Sequence, residues 1–133
     1  EESLIEVKWK NYQVFNRTYA DVVEQVAKAN ANSLVWVHDF YLLLVPRYLH
    51  LRRVPSMVGF FLHSAFPSSE VLRCIPMREE ILQSLLTCKV VTFQTFEYAR
   101  HFLSGCQFLL NASYSFRSGG VMYVEHEGRS VIL

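Results

Sequence analysis

Two continuous apolar runs constrain the fold of this chain more than any other feature of its sequence. The first run covers residues 34–37 and leads to Asp39, and the second covers residues 57–62 and leads to His63. Apolar runs that lie between helical patterns are typical of strands covered on both faces, as in a parallel sheet. Ligands of open α/β sheets bind outside the carboxyl ends of such strands. The sequence therefore predicts a binding site around Asp39 and His63.

The rest of the chain alternates between helical and strand patterns. Apolar spacing predicts helices over residues 16–30, 41–52, 77–87 and 96–110, strands over residues 34–38, 57–62 and 89–93, and a helix start at Ser68 or Ser69. Pro46 predicts a kink in the second helix or a late start to it. This order predicts an α/β, Rossmann-like parallel sheet with flanking helices and right-handed crossovers. Residues 121–125 and 129–133 flank a turn at Gly128, which predicts a C-terminal β-hairpin.

Length and charge limit the domain count and the classes of partner. The 133 residues are enough for a sizeable core, and we expect residues 1–133 to form a single domain. The run 130–133 ends without a turn or a cap, so we expect that domain to be incomplete. A net charge of +1 gives no electrostatic reason to expect a nucleic acid partner. No apolar run approaches the roughly 20 residues that span a bilayer, so we expect no membrane partner.

The spacing of cysteines and histidines argues against a metal centre. Cys74, Cys88 and Cys106 lie far apart without a C-x-x-C pair, and the five histidines show no ligand spacing. Such cysteines predict reduced thiols in the core of a cytoplasmic protein. The glycine-rich phosphate-binding motifs do not occur either, so the sequence predicts no bound cofactor.

Three polar residues at predicted strand ends are the candidate site residues. Asp39 has two acceptor oxygens that suit adjacent sugar hydroxyls, or it caps the helix that follows. His63 can donate to a sugar oxygen at neutral pH, or it is a structural histidine bonded to a backbone carbonyl. Gln94 ends the third strand just before a helix N-terminus, a position that favours a polar ligand, a cap or a loop hydrogen bond. His38 alternates with Asp39, so we expect its side chain to face the core.

Three sequence blocks carry a resemblance to a known family. They read W-V-H-D-F-Y-L at 36–42, G-F-F-L-H-S-A-F-P-S-S-E at 59–70 and F-Q-T-F-E-Y-A-R-H-F-L at 93–103, and P-M-R-E-E at 76–80 lies between the last two. These blocks, in this order, resemble the trehalose-6-phosphate synthase family. The S-S-E and Y-A-R-H variants are similar to its plant-type, synthase-like branch. The resemblance extends from about residue 10 to the end of the chain.

The resemblance implies a two-domain GT-B fold in which this chain is the central part of the N-terminal, acceptor-side domain. It implies a retaining glycosyltransferase that moves glucose from UDP-glucose to glucose 6-phosphate without a metal. By position, Asp39 corresponds to the residue that binds the acceptor glucose, and His63 to the catalytic histidine beside the transferred glucose. Gln94 is the second predicted substrate-binding residue. The missing second Rossmann-like domain would carry the basic residues that stabilise UDP, and a homo- or hetero-oligomer stays open.

Two departures from the family pattern keep an alternative open. Phe40-Tyr41 stands where the family usually has Tyr-His, and Ala65 stands where it usually has proline. The first change removes a polar side chain from the cleft, and the second relaxes the turn that aims His63. The alternative is a non-catalytic protein of the same fold that regulates a partner or senses a sugar phosphate.

Overall fold

Helices and strands alternate along the chain, as the apolar spacing predicts. The computed structural model describes residues 3–30 and 32–133. The elements in chain order are α1 Leu4–Ala29, β1 Leu34–His38, α2 Val45–Leu51, β2 Met57–Leu62, α3 Ser69–Leu72, α4 Arg78–Leu85, β3 Val90–Phe93, α5 Phe96–Leu110, β4 Ser113–Arg117, β5 Val121–His126 and β6 Arg129–Ile132. Short 3₁₀ turns at Phe40–Leu42 and Ser118–Gly120 precede α2 and β5.

The strands form one mixed sheet in the order β1-β2-β3-β6-β5-β4. β1, β2 and β3 are parallel neighbours, which confirms the predicted parallel strands. The hairpin of β5 and β6 is also confirmed, and β6 joins the sheet by pairing parallel to β3 through Val90 and Ile132. β4, which the apolar pattern does not predict, pairs antiparallel with β5. The sheet is therefore mixed rather than wholly parallel.

A single hydrophobic core holds the helices against one face of the sheet. Val37, Phe60 and Val91 project from the three parallel strands and are almost completely buried. They belong to the same cluster as Leu85 of α4 and Phe102 of α5. Burial of an apolar side chain of this size contributes roughly 1.5–3 kcal/mol, so this face fixes the position of the strands.

The opposite face of β1 and β2 is open in the part of the chain that the structure describes. Leu34 is 71% exposed, Trp36 48% and Met57 56%. The expectation that both faces of these strands are covered is therefore wrong within the described residues. A continuous apolar run indicates that both faces are apolar, but it does not show which face a helix covers. His38 lies on the open face with Trp36, so the expectation that it faces the core is also wrong.

The first helix begins earlier than its apolar spacing predicts. α1 starts at Leu4 rather than near residue 16, and Ser3 and Glu6 form a capping box at its start. The Ser3 hydroxyl accepts from the Glu6 N–H at 3.2 Å, and the Glu6 carboxylate accepts from the Ser3 N–H at 3.0 Å. Because Leu4 is exposed, the cap rather than burial specifies where this helix begins.

Three other elements start where local signals predict. α2 begins at Val45 with Pro46 in its first turn, so Pro46 delays this helix and does not kink it. α3 follows Ser68, which occupies the N-cap position. Thr95 caps α5, because its hydroxyl accepts from the Tyr98 N–H at 3.2 Å.

Candidate active site

The carboxyl ends of β1 and β2 bring Asp39 and His63 to the same edge of the sheet. The two strands pair as far as His38 and Phe61, and the Asp39 N–H then donates to the Phe61 carbonyl at 2.9 Å. This bond continues the ladder one residue past the end of β1. The structure therefore places both residues where ligands bind in sheets of this kind, and their roles stay predictions.

Asp39 combines a strained backbone with a hydrogen-bonded carboxylate. Its φ of 69° and ψ of 173° lie in a region that is essentially restricted to glycine and costs other residues about 1–3 kcal/mol. Its Oδ1 accepts from the Ser64 N–H at 3.3 Å and from the Ser64 hydroxyl at 3.0 Å. The side chain makes no capping hydrogen bond near residues 41–43, so the alternative of a helix cap there is wrong.

Hydrogen bonds keep the Asp39 carboxyl group in its charged form. Burial raises its pKa, but the Ser64 hydroxyl, the N–H groups of Phe40 and Ser64 and the nearby His63 outweigh burial and hold the pKa of Asp39 below its ordinary value. A carboxylate can only accept hydrogen bonds, and sugar hydroxyls can donate them. Asp39 is therefore prepared to act as an acceptor and not as a proton donor.

His63 pairs with a second histidine. Its Nε2 lies 3.0 Å from Nδ1 of His38, and the two ring centroids are 5.2 Å apart with 26° between the ring planes. The Phe61 ring lies 4.7 Å from the His63 ring, centroid to centroid. The ring partner of His63 is thus an imidazole, which differs from the alternative of a histidine bonded to a backbone carbonyl.

Gln94 continues the row of polar residues at this edge. β2 and β3 pair in parallel as far as Leu62 and Phe93, so His63 and Gln94 follow at adjoining strand ends. The Gln94 residue is exposed, and Thr95 is the residue that caps α5. Gln94 thus occupies its predicted place, and substrate binding by its side chain stays a prediction.

Tyr12 of α1 holds the turn that follows Asp39. Its hydroxyl donates to the Phe40 carbonyl at 2.8 Å and accepts from the Leu43 N–H at 2.9 Å. Burial raises the pKa of Tyr12 to about 12, although the hydrogen bonds with the Leu43 N–H and the Asn16 side chain partly oppose the rise, so the hydroxyl keeps its proton across the neutral range.

Asn16, one turn further along α1, completes this support. Its residue surface is fully buried, and its amide donates to the Tyr41 carbonyl at 3.1 Å and to the Tyr12 carbonyl at 3.0 Å. Its Oδ1 accepts from the Leu44 N–H at 3.1 Å. A buried amide that satisfies three backbone groups fixes the turn rather than a ligand.

Ser84 of α4 supports the same turn from the other side. Its hydroxyl donates to the Leu43 carbonyl at 2.6 Å and accepts from the Arg47 N–H at 3.2 Å. Asn16 and Ser84 are the two buried polar residues of the described part of the chain. The available sequence signal for both is a polar residue on a helix face whose neighbours are apolar.

A family comparison identifies the class of protein to which this geometry belongs. Residues 1–133 match a family model described as glycosyltransferase family 20. The chain belongs to this family.

Two curated family 20 proteins show the extent of the similarity. The chain is 43% identical over 123 residues to alpha,alpha-trehalose-phosphate synthase (UDP-forming) 5 of Arabidopsis thaliana, covering 92% of the chain and 14% of that protein. It is 43% identical over 129 residues to the 56 kDa subunit of the corresponding Saccharomyces cerevisiae synthase, covering 92% of the chain and 24% of that protein. The chain therefore spans a quarter or less of the length of these relatives.

Solved structures share the fold. A UDP-forming synthase from Burkholderia xenovorans in complex with glucose-6-phosphate matches 92% of the chain and 28% of its own, with a TM-score of 0.82 and 26% identity. The E. coli structure with UDP-2-fluoro glucose matches 93% of the chain and 26% of its own, with a TM-score of 0.79 and 26% identity. The Candida albicans trehalose-6-phosphate phosphatase N-terminal domain matches 99% of the chain and 27% of its own, with a TM-score of 0.84 and 31% identity. The fold is that of the N-terminal part of GT-B trehalose-phosphate synthases.

In this family 20 chain the candidate site is an open edge rather than an enclosed pocket. An apolar cavity of about 250 Å³ lies beside it, with Ser64, Ala65 and Pro67 in its lining. Cavities of about 340 and 280 Å³ lie at the amino ends of the strands, and both include His50 and Arg129. None of the predicted site residues lines those two cavities, so the strand ends and not cavity size locate the site.

The described residues offer no cluster of metal ligands. In residues 3–30 and 32–133, no three His, Cys, Asp or Glu side chains are grouped so that they could hold a metal ion. No helix in these ranges has the length and apolar character that crossing a bilayer requires. Cys88 and Cys106 are buried free thiols, as predicted for cysteines of the core, but Cys74 is exposed, so the prediction is wrong for that residue.

Proposed function

We propose that this chain forms part of the acceptor side of a UDP-forming alpha,alpha-trehalose-phosphate synthase. In the proposed reaction the bond between glucose C1 and UDP breaks, C1 bonds to a hydroxyl oxygen of glucose 6-phosphate, and a proton is released with UDP. The observation that carries this proposal is the presence of Asp39 and His63 at adjoining strand ends in a family 20 chain. The synthase activity for which its relatives are named, and the related structures with glucose-6-phosphate and UDP-2-fluoro glucose, support it.

Asp39 and His63 hold the two sugars in register. The Asp39 carboxylate accepts hydrogen bonds from hydroxyls of the acceptor glucose, and His63 donates to an oxygen of the transferred glucose. The hydrogen bonds from Ser64 to Asp39 join the two loops, so the groups that contact the two sugars keep a fixed separation. Fixed reactant geometry is worth several kcal/mol of the barrier in transfers of this kind. Gln94 adds a contact at the next strand end.

The turn after Asp39 supports catalysis despite its unusual sequence. Tyr12 and Asn16 bind the carbonyl groups of Phe40 and Tyr41, not their side chains. The turn therefore keeps its backbone geometry whichever side chains stand at positions 40 and 41. The synthase relatives favour the enzyme over the alternative of a non-catalytic regulatory or sugar-phosphate-sensing protein.

The remaining parts of the reaction belong to other regions of a complete synthase. Stabilisation of the departing UDP requires positive charge, which a second Rossmann-like domain would supply. No metal or other cofactor is part of the proposed chemistry. The free thiols of Cys88 and Cys106 support a reducing, cytoplasmic location.

A chimeric enzyme tests the proposal. The matching segment of the yeast 56 kDa subunit is replaced by this chain, and UDP release from UDP-glucose is measured with and without glucose 6-phosphate. We expect UDP release that depends on glucose 6-phosphate and falls at least tenfold in Asp39→Asn and His63→Ala, because charge-assisted hydrogen bonds of this type contribute about 1.5–3 kcal/mol.

Matched variants separate a site effect from a folding effect. Asp21, the other aspartate of the chain, lies exposed on α1, and His50 lies at the opposite edge of the sheet. Asp21→Asn and His50→Ala should keep most of the activity. A chimera that unfolds cooperatively and binds UDP-glucose, yet releases no UDP with glucose 6-phosphate, contradicts the proposal.

A further inference from the structure

The histidine pair at the site suggests a role for His38 that the sequence motifs do not assign. We propose that His38 is a positioning residue that fixes the ring of His63 and places a proton on Nδ1 of that ring. The inference rests on the proposed function, because the state of His63 matters for catalysis only if this ring contacts a sugar. The inference concerns His38 rather than Asp39, and its test measures the protonated nitrogen of His63 rather than UDP release alone.

The pair is one of two successive contacts between the ends of β1 and β2. His38 contacts His63 at 3.0 Å, and the next residues along each chain segment, Asp39 and Ser64, are hydrogen-bonded at 3.0 Å. The Asp39 N–H bond to the Phe61 carbonyl lies beside them. Both histidines follow from strand geometry, since they extend the open faces of adjoining strands, so their contact does not depend on a flexible loop.

Hydrogen-bond chemistry limits the states of this pair. A bond between two imidazole nitrogens needs one N–H and one lone pair, so two positively charged rings cannot form it. Nε2 of His63 is occupied by His38, which leaves Nδ1 as the ring nitrogen that can meet a ligand. If His63 donates to a sugar oxygen, Nδ1 must therefore carry a proton. In the neutral pair, His38 Nδ1–H is then the donor and His63 Nε2 the acceptor.

The surroundings of the pair agree with a limit of one positive charge. Trp36 and Phe61, whose ring centroids lie 6.1 and 6.4 Å from the His38 ring, are uncharged. The Asp39 carboxylate, which is hydrogen-bonded to Ser64 next to His63, is a charged group near the pair. A singly protonated pair is balanced by this carboxylate, and in that state His63 Nδ1 again carries a proton. The singly protonated pair and the neutral pair with His38 as donor thus present the same Nδ1–H of His63 to the substrate.

Nitrogen-15 NMR of the histidine rings tests the inference on the 133-residue chain without any sugar. The five histidines give few signals, and long-range proton–nitrogen correlations show which ring nitrogen carries the proton. At neutral pH we expect His63 with Nδ1 protonated and Nε2 as an acceptor. In His38→Leu we expect His63 to populate both tautomers, because its partner is gone.

A conservative variant and a control complete the experiment. The amide of His38→Asn can place a donor near the position of Nδ1, so this variant should restore the wild-type pattern. His50→Leu, at the other edge of the sheet, should leave the His63 signals unchanged. In the yeast chimera, UDP release should fall about five- to tenfold in His38→Leu, as expected for the loss of one hydrogen bond, and recover in His38→Asn.

Wild-type spectra that show both His63 tautomers overturn the inference, whether or not the His38→Leu variant folds. An unchanged His63 pattern in a folded His38→Leu variant overturns it as well. Because no sugar is present, these outcomes test the position of the ring proton itself and not UDP release. That function fails separately, through the Asp39→Asn chimera.

Discussion

At the scale of single residues, Asp39 shows a conflict between stability and the proposed function. Its carboxylate is held by Ser64 in a charged state, but its backbone occupies a conformation that only glycine adopts without strain. A residue chosen for stability alone would be glycine. Binding of the acceptor sugar, the role proposed for this carboxylate, would account for aspartate at a position where glycine carries less strain.

Glycine at position 39 should therefore be more stable than alanine. Relief of backbone strain gives about 1–3 kcal/mol, and the greater freedom of glycine in the unfolded chain takes back roughly 0.5–1 kcal/mol. We expect the free energy of unfolding of Asp39→Gly, measured in urea, to exceed that of Asp39→Ala by about 1 kcal/mol. At the exposed helical Asp21 the order should reverse, because glycine weakens a helix interior by about 1 kcal/mol. The same order of stability of the glycine and alanine variants at both positions would contradict the backbone strain at Asp39.

Asn16 illustrates a residue whose role is support and not contact with substrate. Asn16→Ala leaves the Tyr41 carbonyl and the Leu44 N–H without their partner in a buried site. We expect a loss of about 2–3 kcal/mol in the free energy of unfolding, measured in urea. Asn11→Ala, at an exposed position of the same helix, should change stability by well under 1 kcal/mol. Equal effects of both substitutions would refute the support role.

At the scale of elements, the site depends on how closely β1 and β2 pack. The Trp36 ring covers Gly59 on the open face, and a Cβ built on Gly59 would lie 2.2 Å from that ring. Position 59 thus requires glycine for close approach of an aromatic ring and not for its backbone angles.

A double-mutant cycle measures this approach. Gly59→Ala should cost about 1–3 kcal/mol, because the Trp36 ring must leave its place on the sheet. In a Trp36→Ala background, most of this cost should disappear, since only the milder contact with Val90 at 3.1 Å remains. Urea unfolding of the four proteins gives the coupling. A cost of Gly59→Ala that is the same in both backgrounds would show that the ring is not what excludes a side chain.

Apolar periodicity predicts those elements whose burial is one-sided or complete. It predicts β1, β2 and α5 with their observed bounds, because each presents a clear apolar face to the core. It does not predict the first turns of α1, which expose Leu4 and Ile5 and depend on the Ser3 capping box. It also does not predict β4, whose exposed residues are held by pairing with β5 rather than by burial.

At the scale of the whole molecule, the order of the strands predicts where the site lies. It does not predict which side chains contact Asp39 and His63. Parallel strands 34–38 and 57–62 are enough to predict that Asp39 and His63 lie near each other. The contact of Asp39 with Ser64 depends on a side-chain direction that period-two alternation does not give after a residue with positive φ. His38 alternates with the buried Val37, but the apolar run does not show which face of the strand is open.

The stability of the molecule should rise with pH through the acid range. The pKa of Asp39 is lowered from 3.8 and that of Glu24 from 4.5, and the hydrogen bond from Lys28 is the largest cause for Glu24. Below these ordinary values the unfolded chain therefore binds more protons than the folded chain. Burial, with Arg129 nearby, also lowers the pKa of His50 from 6.5. These contributions are complete above the ordinary values and are lost as the pH falls. Urea unfolding between pH 3 and 7 should show this rise, and a flat profile would contradict it.

The same free energy should fall again in the alkaline range. Burial raises the pKa of Cys88 to about 12, from an ordinary value of 9.0, and raises that of Cys106 in the same direction. The folded chain therefore keeps protons that the unfolded chain releases, and this contribution is lost as the pH rises above about 9. Urea unfolding with reductant from pH 7 to 10 should show the fall. Cys106→Ala should make the free energy of unfolding fall less steeply with pH. An unchanged dependence on pH would be inconsistent with the raised pKa of the buried thiol.

The affinity for glucose 6-phosphate tests the central claim most directly. In the yeast chimera, calorimetric titration in the presence of UDP should give a dissociation constant that rises at least tenfold in Asp39→Asn and stays within about twofold in Asp21→Asn. This result would place the acceptor sugar on the carboxylate at the end of β1. Equal affinities of Asp39→Asn and the unmodified chimera would contradict the account.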